Sequence, residues 1–219
     1  MVGEALSMQG RETESVEAHR ESLRAATDHL PEISVDALTQ TFLEEENHRG
    51  LVALKELQYD FVENDSDKAL LGVDVARLYM DQLDDLENSE TTFLKCLEWD
   101  ENCTDAMAGL GDLYFSQGRF EDSSKHFESY LRSGADVSVD DRTRLVVGLR
   151  NIGQFDKALE ASVEVLEMDA GNRDAREIRV EILEARGNKV ALERELQAYE
   201  VLLDDDVDNR LKFTVQSRL

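Results

Sequence analysis

The chain has 219 residues, with 49 acidic against 24 basic side chains and a formal charge of −25. That balance speaks against nucleic acid and anionic membrane surfaces as partners, because phosphate binding needs a basic stripe. A hydrophobic share of 41% is too high for a disordered chain, and a single Pro without sustained apolar/polar alternation points to an all-helical fold.

Residues 1–10 carry no strong pattern. Val16, Leu23 and Leu30 share a face and predict a helix over about 12–30, ended by Pro31, with Ser34 as N-cap candidate for the next helix. Segment 1–35 therefore reads as an N-terminal extension whose helix covers the first apolar face of the helix pairs beyond it. In 36–69, Leu38, Phe42 and Leu43, then Leu51, Leu54, Leu57, Phe61 and Val62, mark two helices. In 70–103 the markers are Val73, Ala76, Leu78 and Met80, then Leu86, Phe93, Leu94 and Leu97. In 104–138 they are Met107, Leu110, Gly111 and Tyr114, then Phe120, Ser123, Phe127 and Leu131. Segment 139–172 has Leu145, Val146 and Leu149, then Phe155, Ala158, Leu159, Val163 and Leu166. Segment 173–206 has Ile178, Ile182 and Leu183, then Val190, Leu192, Leu196 and Tyr199. The tail 207–219, VDNRLKFTVQSRL, offers Leu211, Phe213, Val215 and Leu219 to a closing helix or turn; the alternation at Leu211 and Phe213 also suits a short strand-like extension.

These segments repeat. Gly153 follows Gly118 by 35 residues and Gly187 follows Gly153 by 34, each between two helical patterns; steps of 34 back from Gly118 reach Asp84 and then Gly50. The segment ends align as well: CLEWDENCTDA (96–106) and VLEMDAGNRDA (165–175) share L-E-x-D, a short loop and D-A. A fixed period of this size signals stacked helix pairs, none of which can bury its apolar face alone. Gly inside a helix costs about 1 kcal/mol relative to Ala, so Gly111, with Ser123 opposite, is a candidate for close approach of two axes.

Segment 104–138 resembles a tetratricopeptide repeat (TPR), whose signature is W-x2-L-G-x2-Y, then A-x3-F, then P. Met107 stands for the Trp, Leu110-Gly111 is the L-G pair, Tyr114 is the Tyr, Ser123 takes the small position, Phe127 is the Phe and Ala135 replaces the Pro. The resemblance implies a right-handed superhelical solenoid of antiparallel helix pairs, with about five repeats over 36–206. It also implies a protein–protein interaction scaffold in which the first helix of each repeat lines a concave groove. On that pattern the groove receives Asp74, Leu78 and Asp81 from the second repeat; Asp105, Ala108, Asp112 and Phe115 from the third; Asp140, Thr143, Val147, Arg150 and Asn151 from the fourth; and Asp174, Glu177, Glu181 and Glu184 from the fifth. Some relatives clamp a C-terminal carboxylate with Lys, Arg and Asn; here only Arg150 and Asn151 suit that task. The expected partner is a protein or peptide segment with Lys or Arg around one or two apolar anchors. Two alternatives stay open: the acidity is a general adaptation to a high-salt cytoplasm, in keeping with 17 Arg against seven Lys, or the chain is a structural subunit that self-associates through its ends.

Nothing in the sequence forms a catalytic constellation. Glu45 and His48 make one E-x-x-H where a di-iron bundle needs two, the run 204–206 lacks calcium-loop spacing, and phosphate-loop and nucleophile-elbow motifs are absent. Cys96 and Cys103 are seven apart, which is neither a CxxC nor a zinc spacing. We therefore expect no cofactor, metal or enzyme activity. No apolar run approaches a membrane span and the first residues do not read as a signal peptide, so the expected location is cytoplasmic.

Overall fold

The computed structural model describes residues 31–202 (side chains as far as 198) together with 18, 21–23, 25 and 26. Among the described residues the chain is all-α, with ten helices and one 3-10 turn and no strand. The helices are α1 (Glu32–Glu44), α2 (His48–Gln58), α3 (Asp65–Asp81), α4 (Leu86–Trp99), α5 (Thr104–Ser116), α6 (Phe120–Arg132), α7 (Val139–Asn151), α8 (Phe155–Met168), α9 (Arg173–Ala185) and α10 (Lys189–Leu202). The 3-10 turn Tyr59–Phe61 follows α2. Two compact units divide the chain, Met1–Gly109 and Leu110–Leu219, with the boundary inside α5. Most of the helix predicted over 12–30 and the whole closing element predicted in 207–219 lie outside the described residues.

The turns inside each pair share one stop signal. Gly118, Gly153 and Gly187 have φ of +71°, +76° and +66°, and the next amide donates five residues back, Arg119 to Tyr114, Gln154 to Leu149 and Asn188 to Leu183. This is the left-handed helix ending that glycine adopts without strain. Asp84 takes the same left-handed conformation at φ +51°, as its place in the period predicts, although here the next amide, Asp85, donates six residues back to Tyr79. The step to Gly50 fails. The turn between α1 and α2 sits at Glu46 (φ +52°), and Gly50 lies inside α2, where its amide is capped by Asn47 Oδ1 at 2.9 Å. Likewise α3 begins five residues before 70, because Asn64 accepts from the amides of Ser66 and Asp67. Ser34 is not a cap: it is buried inside α1, which starts directly after Pro31. The fixed φ of proline is already helical, and its carbonyl accepts from Ser34 and Val35.

The loops between pairs also recur. Asp100 and Asp169 end α4 and α8 with φ near −139° and −137°, and each carboxylate accepts from the amide two residues on, at 2.9 Å. The repeated L-E-x-D segments thus fold alike.

Close crossings rest on missing side-chain atoms. A Cβ at Gly111 of α5 would lie 2.7 Å from the Phe127 ring of α6, and the Ser123 hydroxyl donates to the Gly111 carbonyl at 2.9 Å. In the first unit a Cβ at Gly72 of α3 would lie 2.6 Å from Cys96 Sγ, and one at Gly109 would lie 2.3 Å from the Phe93 ring. Apolar side chains fill the remaining space: Leu23, Leu38, Phe42, Leu51 and Leu54 form one cluster of the first unit. In the second unit Phe127, Leu145, Val146, Leu149, Ala158, Val165, Ala175, Ile178 and Ile182 form another.

Candidate functional site

In each unit, ion pairs join helices of neighbouring helix pairs. In the first, Lys55 of α2 meets Asp74 of α3 at 2.8 Å, and Arg77 of α3 stands 3.9 Å from Asp105 of α5. Between them lies a hollow of about 430 Å³, lined by Leu70, Leu71, Val73, Asp74, Arg77 and Asp105. In the second, Asp112 of α5 meets Arg144 of α7 at 3.2 Å, and Arg150 of α7 grips Glu181 of α9 through Nε at 3.1 Å and Nη2 at 2.7 Å. Exposed pairs of this kind contribute roughly 0–1 kcal/mol each. Their importance here is that they occupy the positive charge of the face.

The structure brings together several of the residues expected in a groove and removes others. Asp74 and Asp105 border the same hollow. Asp81, Asp140, Asp174, Glu177, Glu181 and Glu184 are exposed, while Asp112, Ala108, Val147 and Phe115 are half-buried, Phe115 standing edge-on to Phe120 at 5.5 Å. Leu78 packs against the Leu38–Phe42 cluster. Thr143 is buried; its hydroxyl donates to the Val139 carbonyl and accepts from Asn172 Nδ2 at 3.1 Å, so it braces α7 against the loop before α9. Asn151 donates to the Val147 carbonyl. With the Arg150 fork already on Glu181 and the Asn151 amide on its own helix, the pair suited to a carboxylate clamp is engaged internally.

Sequence reading missed Lys55, Leu70, Leu71, Arg77 and Arg144. Once α3 is known to start at Asp65, Leu70, Asp74 and Arg77 are spaced i, i+4, i+7 on one face. The signal that would have shown this was Asn64 followed by acids in the first helical turn.

The model of the Tetratricopeptide repeat family matches residues 74–103. These residues run from α3 through α4 to the loop before α5. Residues 74–103 thus match one tetratricopeptide repeat. A crystal structure of MamA superposes on this chain with a TM-score of 0.60 at 14% identity, covering 82% of this chain and 96% of that one. A second MamA structure gives 0.61 at 14%, covering 77% and 89%. A chain of the APC/C hetero-tetramer Cut9–Hcn1 gives 0.52 at 11%, covering all of this chain and 41% of that one. At these identities the likeness is one of fold. No curated protein matches the sequence at a significant level. A tetratricopeptide-repeat fold supports a protein-interaction scaffold with protein or peptide partners. Among the described residues, no helix is long and apolar enough to cross a membrane.

Proposed function

We propose that the chain is an adaptor whose first helices offer an acidic face to a partner segment carrying Lys or Arg around one or two apolar anchors. One observation carries the reading: on α7 the arginines that point along the face, Arg144 and Arg150, are paired with Asp112 and Glu181, while Asp140, Asp174 and Glu177 stand exposed beside them. A face whose positive groups are engaged and whose acids meet water attracts a basic segment and steers its approach. In the first unit the hollow at Leu70 and Leu71 offers an apolar anchor point beside Asp74 and Asp105.

The test is fluorescence anisotropy with a labelled peptide of Lys and Leu residues, read at several salt concentrations. Asp140→Lys with Glu177→Lys should weaken binding at least about tenfold, equivalent to about 1.4 kcal/mol. Matched changes on the second-helix surface, Glu160→Lys with Glu167→Lys, should have little effect. Equal losses from the two pairs would show that overall charge, and not this face, governs binding.

A further inference from the structure

A second hollow of the first unit, about 310 Å³, lies between α2 and the end of α3 with the loop that follows it. Val52, Ala53 and Leu83 give it an apolar floor, and Tyr79 adds its ring. Two opposite charges border it, Arg49 and Glu56, both on α2 and both exposed. Seven residues apart, they share one side of the helix about 10 Å from each other, at about 1.5 Å per residue. Ala53 and Leu57 are exposed on that side as well, Leu57 to 38%.

Neither charge is neutralised by another described residue. The other acid of the hollow, Asp85, is the N-cap of α4 and is taken by Asn88, through the amide at 3.1 Å and the side-chain nitrogen at 2.7 Å. Among the described residues Arg49 therefore forms no ion pair. Glu56 accepts from the Tyr79 hydroxyl at 3.2 Å, a neutral donor that fixes one carboxylate oxygen and leaves the charge uncompensated.

The pattern is its own complement. A cation, an apolar pair and an anion follow one another along α2 at 49, 52–53 and 56. Reversing the helix exchanges the two charges about the midpoint of 52 and 53. Two such helices laid antiparallel around a twofold axis set Arg49 of one protomer against Glu56 of its partner, twice over. Ala53, with no atom beyond Cβ, lets the axes approach at the centre. Leu57 and the floor of the hollow supply the apolar area removed from water.

We infer that the chain forms a twofold dimer through α2, with two Arg49–Glu56 pairs closing over the hollow at Val52, Ala53 and Leu83. Its consequence is bivalence: the dimer carries two of every partner-binding face, whatever those faces bind. A contact of two helical turns belongs to the weak, reversible class. Two chains of charge −25 also repel each other at a distance. The dimer should therefore tighten as salt rises from about 0.01 to about 0.15 M and the screening length falls from about 30 to about 8 Å.

Analytical ultracentrifugation of the full-length protein at rising concentration tests the pairing. The expected result is an approach to twice the monomer mass. Arg49→Glu and Glu56→Arg should each weaken self-association at least about a hundredfold, because each single change creates two like-charge contacts in the symmetric dimer. Mixing the two variants should restore a dimer, and so should both changes in one chain, since either arrangement regains opposite charges. Glu56→Arg also lowers the net negative charge, so tighter association of that variant would show that overall repulsion governs and would overturn the inference. A monomer at every concentration in about 0.15 M salt would overturn it too and leave the hollow to a different protein. A dimer indifferent to the single reversals would place the contact elsewhere. Loss in both single variants without recovery in the mixture or the double variant would overturn the antiparallel pairing.

Discussion

Two crossings in the second unit achieve the same hairpin by opposite means. Where α5 meets α6, the approach rests on an absent atom: Gly111 admits the Phe127 ring, and Ser123 ties its hydroxyl to the Gly111 carbonyl. Where α9 meets α10, Val180 and Leu196 stand at the places that Gly111 and Phe127 hold in their pair, both buried. Here charge enters the interior: Glu195 accepts from Arg176 and Arg179, each at 2.8 Å, with the Arg176 and Glu195 side chains less than a tenth exposed. Arg179 extends the network to the Leu159 carbonyl and the Ser162 hydroxyl of α8. The lesson is that one repeat geometry tolerates either a dry, shape-determined contact or a buried polar one, provided every polar group finds a partner.

Mutation can break the two crossings separately. Phe127→Ala removes a fully buried ring from the α5–α6 contact and should cost about 3–5 kcal/mol in chemical denaturation. Glu195→Ala should come next, at about 3 kcal/mol, because it leaves two arginines at the α9–α10 contact without their carboxylate. Replacing Arg176, Arg179 and Glu195 together by apolar residues of similar volume should restore most of that loss; failure to do so would show that the cluster contributes more than mutual neutralisation. The smallest effect sharpens the contrast through pH. His126 of α6 stacks on Tyr114 of α5 at 5.5 Å, and burial holds its imidazole below the usual value. The unfolded chain therefore takes up the proton first, so this stabilisation is present above about pH 6.5 and is lost as the pH falls below it. His126→Gln should flatten that part of the stability profile, measured by urea midpoints between pH 7 and 5.

Much of the fold was legible because glycine reports backbone directly. Gly118, Gly153 and Gly187 mark turns in which a left-handed residue ends a helix, and the period carried this to Asp84, which adopts the same conformation. One step further the inference failed at Gly50. There, Glu46 makes the turn and Asn47 starts the helix, so the glycine has a different job. The face was less legible. Helical spacing placed Glu177, Glu181 and Asp140 on the surface correctly, but Thr143 and Leu78 are drawn inward, and Lys55 and Arg77 entered unannounced. Which side chains meet across neighbouring pairs depends on how one pair is rotated on the next. That rotation is set by contacts such as the Gly109 backbone under the Phe93 ring, which no single-helix pattern encodes.

The α3–α4 crossing carries its own timepiece. Cys96 is fully buried beneath Gly72, and burial, with the neighbouring Cys103 thiol adding to it, pushes its thiol up to about 12. Such a sulfur is inert toward alkylating reagents at neutral pH until the helices part. Its rate of modification in the native protein therefore counts the separations of α3 from α4, and gives the lifetime of this first-unit contact without any engineered label.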